Sequence, residues 1–137
     1  LLDHEARSQE VEIVLDLAEA LPPVQGGHVL LEQVVFNLVR NALDAVLDQA
    51  SERRITLRTS FDAQLVYVEV IDNGPGVDPA LGEHIFDSFV TSKQEGMGMG
   101  LAISRSIIEA HAGSLRYVNN SEGRNTFMFS LARAASQ

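Results

Sequence analysis

Five polar side chains recur on one side of a segment whose other residues are mostly apolar. Gln33, Asn37, Arg40, Asn41 and Asp44 return at about one helical turn, so they share a face if the segment is a helix. Exposed helix faces are usually rich in Glu and Lys, whereas Asn is a poor helix former with a good ligand oxygen. Neutral amide oxygens suit a hard cation such as Mg²⁺ whose other ligands are phosphate oxygens. The stripe is therefore either a solvated surface or part of a metal-phosphate site.

One carboxylate stands at the end of the most apolar predicted strand. Asp72 is followed directly by Asn73-Gly74-Pro75-Gly76, and its simple interpretation is turn chemistry, because Asp-Asn-Gly begins many turns. Its functional interpretation is base recognition. A half-buried carboxylate can accept from the exocyclic amine of adenine, whereas guanine would present a carbonyl and leave the carboxylate unpaired. Gly76 would then let a flat base approach the backbone.

Alternating glycines open the second predicted helix. Gly96, Gly98 and Gly100 lie where unpaired N–H groups and the helix dipole attract phosphate, although a flexible hinge is the simpler alternative. Their spacing is not the dinucleotide-binding fingerprint, and the chain has no P-loop motif, so Rossmann and P-loop folds are disfavoured. Lys93, the only lysine of the chain, precedes the glycines and could neutralise a triphosphate.

Apolar periodicity predicts the elements that must position these residues. Two segments have helical spacing, and five have the alternation or the β-branched content of strands. The predicted helices are 29–48 and 97–112, and the predicted strands are 11–17, 55–61, 65–71, 114–118 and 126–132. The 65–71 strand is the most apolar and is expected at the centre of the sheet. This order of elements favours an α/β sandwich, a mixed sheet covered by helices.

Length and composition limit the function classes. A chain of 137 residues fits one domain, and its formal charge of -9 disfavours binding to nucleic acid or to anionic membranes. The absence of cysteine excludes thiolate chemistry and suits a reducing cytosol. We expect residues 1–10 to end a helix or linker from an upstream domain, residues 11–132 to form the folded domain, and residues 133–137 to be a tail.

The amide stripe, the Asp72 turn, a Phe-containing loop over residues 85–89 and the glycine-rich helix start occur in a fixed order that resembles the ATP-binding domain of sensor histidine kinases, in the GHKL superfamily. The similar segments are the N box (37–42), the first glycine box (72–76), the F box (85–89), the second glycine box (96–101) and the closing Gly-x-x-x-F segment (122–127). The residues from Phe89 to Lys93 are most similar to the short lids of FixL-type and nitrogen-regulator kinases. The resemblance implies the Bergerat fold, a two-layer α/β (α+β) sandwich with about five strands covered on one face by about three helices.

The resemblance also implies ATP and Mg²⁺ as cofactors and a role for each matching residue. Asn41 would bind Mg²⁺, Asn37 would support the phosphates or the metal, and Asp72 would read adenine. Lys93 with Gly98 and Gly100 would close over the triphosphate, so Asn37, Asn41 and Lys93 form the predicted catalytic set. The wider predicted nucleotide site adds Gly74, Gly76, Gly96, Leu101 and Thr126. Arg40 and Arg105 are weaker phosphate candidates, and either could equally form a surface ion pair.

One position distinguishes kinases from hydrolases in this superfamily. In gyrase, MutL and the large heat-shock chaperone, a Glu one helical turn before the metal-binding Asn activates a water molecule. Here that position is Asn37, and an amide cannot take up a proton at neutral pH. The resemblance therefore favours γ-phosphoryl transfer to a histidine. The alternatives are a GHKL-type ATPase module and a non-catalytic nucleotide-binding scaffold.

The acceptor histidine is expected outside this chain. His4-Glu5 looks like the start of an acceptor motif, but the required helical hairpin cannot fit into the ten residues before the first strand. The expected partners are an upstream dimerisation and phosphoacceptor hairpin of the same protein and a response-regulator receiver domain. We expect a monomeric, cytoplasmic domain without direct membrane contact, and a lid over residues 78–97 that becomes ordered when nucleotide binds.

Overall fold

The computed structural model describes residues 10–24, 26–47, 52–74, 97–119 and 124–134. These ranges contain β1 (Val11–Asp16), α1 (His28–Val46), β2 (Arg53–Phe61), β3 (Leu65–Asp72), α2 (Met97–Ala110), β4 (Ser114–Asn119) and β5 (Asn125–Ala132). Each of these elements has ends within two residues of the sequence prediction. The predicted F box, and the predicted lid up to residue 96, lie outside the described residues. Within those residues there are two helices, where about three were expected for the whole chain.

The five strands form one mixed sheet in the order β1-β2-β3-β5-β4. β1 and β2 are parallel, and the other neighbouring pairs are antiparallel. β3 is the middle strand, as its apolar sequence predicts. This arrangement confirms the predicted α/β sandwich, and it places the end of β3, with Asp72, between β2 and β5. No helix among the described residues is long and apolar enough to cross a membrane.

Strand alternation places the apolar core on one face of the sheet. The register aligns Ile13 of β1 with Ile55 of β2, and Val70 of β3 with Phe127 of β5, so their side chains share a face. Both helices pack their apolar stripes against that face, through Val34, Leu38 and Leu43 of α1 and Leu101 and Ile108 of α2. The opposite face carries exposed ion pairs, Glu12 with Arg54 and Asp16 with Arg58, each at 2.9 Å.

A histidine directly after α2 contacts the start of α1. His111 Nε2 accepts a hydrogen bond from the Gly27 N–H at 3.0 Å, and its Nδ1 lies 2.8 Å from the Ile107 carbonyl oxygen. These partners require the tautomer that carries its proton on Nδ1. Gly26 has φ 151°, and a Cβ there would lie 2.4 Å from the imidazole ring. The contact therefore depends on a residue without a side chain at position 26.

The β2–β3 hairpin is closed by Asp62. Its Oδ1 accepts from the backbone N–H groups of Gln64 and Leu65, and its Oδ2 accepts from the Tyr67 hydroxyl at 2.7 Å. These hydrogen bonds, led by that from Gln64, lower the pKa of Asp62 below its usual 3.8. Because the folded pKa is depressed, the stabilisation is present above pH 3.8 and is lost as pH falls through the folded value.

α2 ends in a Schellman motif that has alanine at the left-handed position. The Gly113 N–H donates to the Ile108 carbonyl at 2.9 Å, the Ala112 N–H donates to the Glu109 carbonyl at 3.0 Å, and Ala112 has φ 61°. Glycine is the usual residue at the left-handed position that ends a helix, and Gly113 directly follows this turn. The structure places Ala112, not the glycine, in the strained conformation. The Cβ of a residue in the left-handed region lies close to the backbone, so Ala112 destabilises the fold.

Ala112→Gly should stabilise the chain. Glycine adopts positive φ without steric cost, so we expect the free energy of unfolding to rise by about 1 kcal/mol. The measurement is urea unfolding followed by circular dichroism. Ala110→Gly is the matched control, because Ala110 lies in the helix and glycine there should lower the free energy by about 1 kcal/mol. If both variants change the free energy of unfolding by the same amount, Ala112 is not strained.

Candidate functional site

Asp72 is a buried carboxylate at the end of the central strand. The residue is 2% exposed. Its Oδ1 accepts hydrogen bonds from the Gly74 N–H at 2.9 Å and from Asn125 Nδ2 at 3.0 Å. The same Asn125 amide donates to the Gly74 carbonyl at 2.9 Å. The turn chemistry expected from Asp-Asn-Gly is therefore present. It also fixes the orientation of the carboxylate, as a base-recognition role would require.

Asn125 is a site residue that the sequence prediction missed. It is 3% exposed, and its Oδ1 accepts from the Tyr117 hydroxyl at 2.6 Å. The Tyr117 ring packs against Phe127, with centroids 5.1 Å apart. The β3–β5 register pairs Asp72 with Asn125 and Ile71 with Thr126, so Thr126 lies on the opposite face of the sheet. The structure thus brings Asn125, not the predicted Thr126, to Asp72.

The turn after β3 packs directly onto α1. A Cβ at Gly74 would lie 2.7 Å from the carbonyl oxygen of Ala45 and 2.8 Å from its carbonyl carbon. Backbone atoms cannot move aside as a flexible side chain can, so this approach requires glycine. Ala45 lies one helical turn after Asn41, which is itself 8% exposed. The contact brings the end of β3 to the half of α1 that carries the buried amide.

Asn37 links the two helices. Its Oδ1 accepts from Gln33 Nε2 at 3.0 Å, and its Nδ2 donates to Ser104 Oγ at 3.1 Å and to the Gly100 carbonyl at 3.4 Å. Ser104 is fully buried. The amide stripe is therefore not simply a solvated surface, because Asn37 bonds to α2 and Asn41 is buried. The bond to Gly100 also connects the stripe to the glycine-rich start of α2.

The remaining predicted residues divide into three groups. Arg40 is half-buried on α1, and Gly98 and Gly100 lie in the first turn of α2. Leu101 belongs to the hydrophobic core, and Arg105 lies 3.4 Å from Glu109 on the same helix, which is the surface ion pair given as its alternative. The predicted residues Gly76, Lys93 and Gly96 lie outside the described residues.

A large crevice lies on the other flank of α1. It has a volume of about 760 Å³ and is bordered mainly by aliphatic side chains, among them Ile13, Leu57, Val35 and Val39. Asn37 and Asn41 project from a different side of the helix, about half a turn away. The crevice offers almost no hydrogen-bonding groups for phosphates, so the polar cluster around Asp72 remains the candidate site.

The donor set fits a magnesium nucleotide. Asp72 supplies an oriented acceptor, Asn41 and Asn37 supply neutral amide oxygens, and the first turn of α2 supplies backbone N–H groups. Residues 26–135 match the family model described as histidine kinase-, DNA gyrase B-, and HSP90-like ATPase. The chain belongs to this family. The match covers both helices and four of the five strands, so it includes every described residue of the site.

Curated relatives within this family are sensor proteins. The chain is 38% identical over 127 residues to the C4-dicarboxylate transport sensor protein DctS of Rhodobacter capsulatus, covering 92% of the chain and 19% of DctS. It is also 38% identical over 129 residues to the sensor protein FixL of Bradyrhizobium diazoefficiens, covering 94% of the chain and 26% of FixL. The chain thus spans about a fifth to a quarter of the length of these relatives.

Solved structures of histidine kinases have the same fold. The catalytic domain of histidine kinase ThkA superposes with a TM-score of 0.85 at 28% identity, over 98% of this chain and 88% of that domain. Full-length ShkA in complex with AMPPNP gives 0.82 at 28% identity, over 98% of this chain and 28% of ShkA. ThkA in complex with the response regulator protein TrrA also gives 0.82, at 26% identity, over 97% and 37%. These neighbours confirm the Bergerat fold that the resemblance implied.

Gly74→Ala should destabilise the fold, because the added Cβ overlaps the Ala45 carbonyl. We expect the free energy of unfolding to fall by about 1 to 3 kcal/mol, as is typical of overpacking. The matched control is Gly27→Ala, whose Cβ would meet Leu30 at an ordinary 3.5 Å. Urea unfolding of both variants tests the contact. If Gly74→Ala unfolds at the wild-type denaturant concentration, the close approach is not needed.

Proposed function

We propose that the chain is the ATP-binding catalytic domain of a two-component sensor histidine kinase. In this proposal it binds Mg-ATP and transfers the γ-phosphoryl group to a histidine on a separate dimerisation hairpin. The observation that carries the proposal is the Asp72 carboxylate, buried to 2% exposure and oriented by two N–H donors beside the helix that bears Asn37 and Asn41. Family membership and the sensor relatives support it.

Asp72 is the residue that would select adenine. The Gly74 N–H and the Asn125 amide both donate to Oδ1, which fixes the plane of the carboxylate. Oδ2 then accepts from the exocyclic amine of the base. An oxo-purine presents a carbonyl oxygen at that position, and two acceptors facing each other in a buried site repel. The discrimination thus comes from an acceptor that cannot turn away.

The phosphates would lie between α1 and the start of α2. Asn41 is the proposed magnesium ligand, with Asn37, Arg40 and Lys93 as further contacts and the glycine-rich turn as a source of backbone N–H groups. When bound, the metal neutralises charge on the phosphate oxygens. Asn37 holds the first turn of α2 through Gly100 and Ser104, so it ties the phosphate end of the site to the amide stripe.

Asn37 also favours transfer to histidine over hydrolysis. Its amide cannot accept a proton from water at neutral pH, whereas a neutral imidazole is already a nucleophile. In the transfer, the imidazole nitrogen forms a bond to the γ-phosphorus, the bond to the bridging β-phosphate oxygen breaks, and ADP leaves with that electron pair. Positioning and charge neutralisation are the main demands of this reaction.

The proposed partners follow from the relatives. ShkA was solved with AMPPNP and ThkA with a response regulator protein, and we extend both interactions to this chain as a nucleotide site and a receiver-domain partner. The acceptor hairpin is proposed to lie upstream in the same protein, and the domain to act in the cytoplasm. Its charge of -9 disfavours nucleic acid as a partner.

Asp72→Asn should reverse the base preference. The Gly74 and Asn125 donors keep the amide oxygen of the new side chain on their side, so its NH₂ group faces the base. We expect the affinity for ATP to fall about 10- to 100-fold. Inosine triphosphate carries an oxo group in place of the amine, so its affinity should fall less or should rise. Calorimetric titration of both nucleotides measures this. Undiminished ATP binding would contradict the role of Asp72.

Phosphotransfer is tested by supplying an acceptor. The chain is joined to the proposed upstream hairpin and incubated with γ-labelled ATP and Mg²⁺. We expect label in an acid-labile, base-stable form, as a phosphoramidate requires, and no label when the acceptor histidine is replaced by Gln. Multiple turnover of ATP without protein labelling would instead identify an ATPase module, and binding without either reaction would identify a scaffold.

A further inference from the structure

We propose that Asn125 and Tyr117 are positioning residues that set the base selectivity of the site. The inference rests on the proposed nucleotide-binding function and assigns that function two residues that the predicted site did not include. Both lie behind Asp72. Asn125 donates to the carboxylate, and the Tyr117 hydroxyl donates to Asn125.

The Asn125 amide has a single acceptable orientation. Both N–H bonds of its Nδ2 are used, one to Asp72 Oδ1 and one to the Gly74 carbonyl. Its oxygen faces the Tyr117 hydroxyl at 2.6 Å. Reversing the amide would place its oxygen against a carboxylate and a carbonyl, both acceptors, and its NH₂ group against the tyrosine hydroxyl. The tyrosine thus reinforces the amide orientation that the carboxylate needs.

The amide in turn restrains the carboxylate. Asp72 is paired across the sheet with Asn125, and the Nδ2–Oδ1 bond connects residues 53 positions apart in the chain. The Gly74 N–H reaches the same oxygen from the turn. Two donors converging on Oδ1 from different elements oppose rotation about the Cβ–Cγ bond. Without Asn125, the restraint from β5 is lost, and the carboxylate can rotate more easily away from an unfavourable base.

Rotation would affect the two purines differently. An aligned carboxylate gains a hydrogen bond from adenine and repels the oxo group of hypoxanthine. A rotating carboxylate loses part of the first interaction and escapes part of the second. The selectivity for ATP over inosine triphosphate should therefore narrow, whereas a purely structural change would weaken both nucleotides equally. The ratio of the two affinities is the readout that separates these roles.

The test compares three variants with the wild-type chain by calorimetric titration of ATP and inosine triphosphate with Mg²⁺. Asn125→Ala should reduce the ratio of the ATP affinity to the inosine triphosphate affinity about tenfold. Tyr117→Phe removes only the hydroxyl and keeps the ring on Phe127, and it should reduce the same ratio about threefold. Tyr67→Phe is the matched control. It removes the other tyrosine hydroxyl of the chain, which is bonded to Asp62 on the hairpin. It should leave the ratio unchanged.

The outcomes distinguish a failure of the proposed function from a failure of this inference alone. A wild-type chain that does not bind ATP overturns the proposed function, and this inference with it. If the wild type binds and discriminates but Asn125→Ala weakens both nucleotides by the same factor, the inference fails and the function stands. If Asn125→Ala does not fold, Tyr117→Phe decides, and an unchanged ratio in that variant overturns the inference.

Discussion

The buried carboxylate of Asp72 is the interaction on which the rest of the site depends. Removing a carboxylate from water is costly unless hydrogen bonds replace the lost hydration. Here the Gly74 N–H and the Asn125 amide provide them, and each belongs to a different element. Satisfying one charged group therefore fixes the turn after β3 and the facing position of β5 together. The same turn also lies against the α1 backbone at Ala45, which couples the carboxylate to the helix of the amide stripe.

α1 serves two environments with two flanks. One flank is aliphatic and borders the sheet and the crevice, and the other carries Asn37 and Asn41. Asn37 uses its amide to hold Ser104 and Gly100, so the start of α2 is placed by a polar contact rather than by packing alone. At the opposite end His111 makes the second connection between the helices, through the Gly27 N–H. The two helices are thus connected by polar contacts near both ends of α2.

Sequence patterns predicted the elements well because their periodicity is strong. The amide stripe and Asp72 were found because Asn in a helix and Asp after an apolar strand are both unusual. Asn125 was missed because the predicted strand began one residue late, at Thr126, and because its partner Asp72 is 53 positions away in the chain. A signal did exist. Phe127, Phe129 and Leu131 face the core, so alternation places Asn125 on the same face and Thr126 on the other. The left-handed Ala112 could not be foreseen, because the neighbouring Gly113 is the usual stop signal.

The strand order has a consequence for how the chain reaches its folded state. β5 lies between β3 and β4, so one of the two edges of β3 pairs with a strand that begins more than fifty residues later in the chain. Pairings of such high contact order form slowly, because a long loop must close before any contact is made. The bond from Asn125 to Asp72 forms only when that closure is complete. A nascent or partly folded chain therefore lacks the proposed nucleotide site, and ligand affinity should report on completed folding.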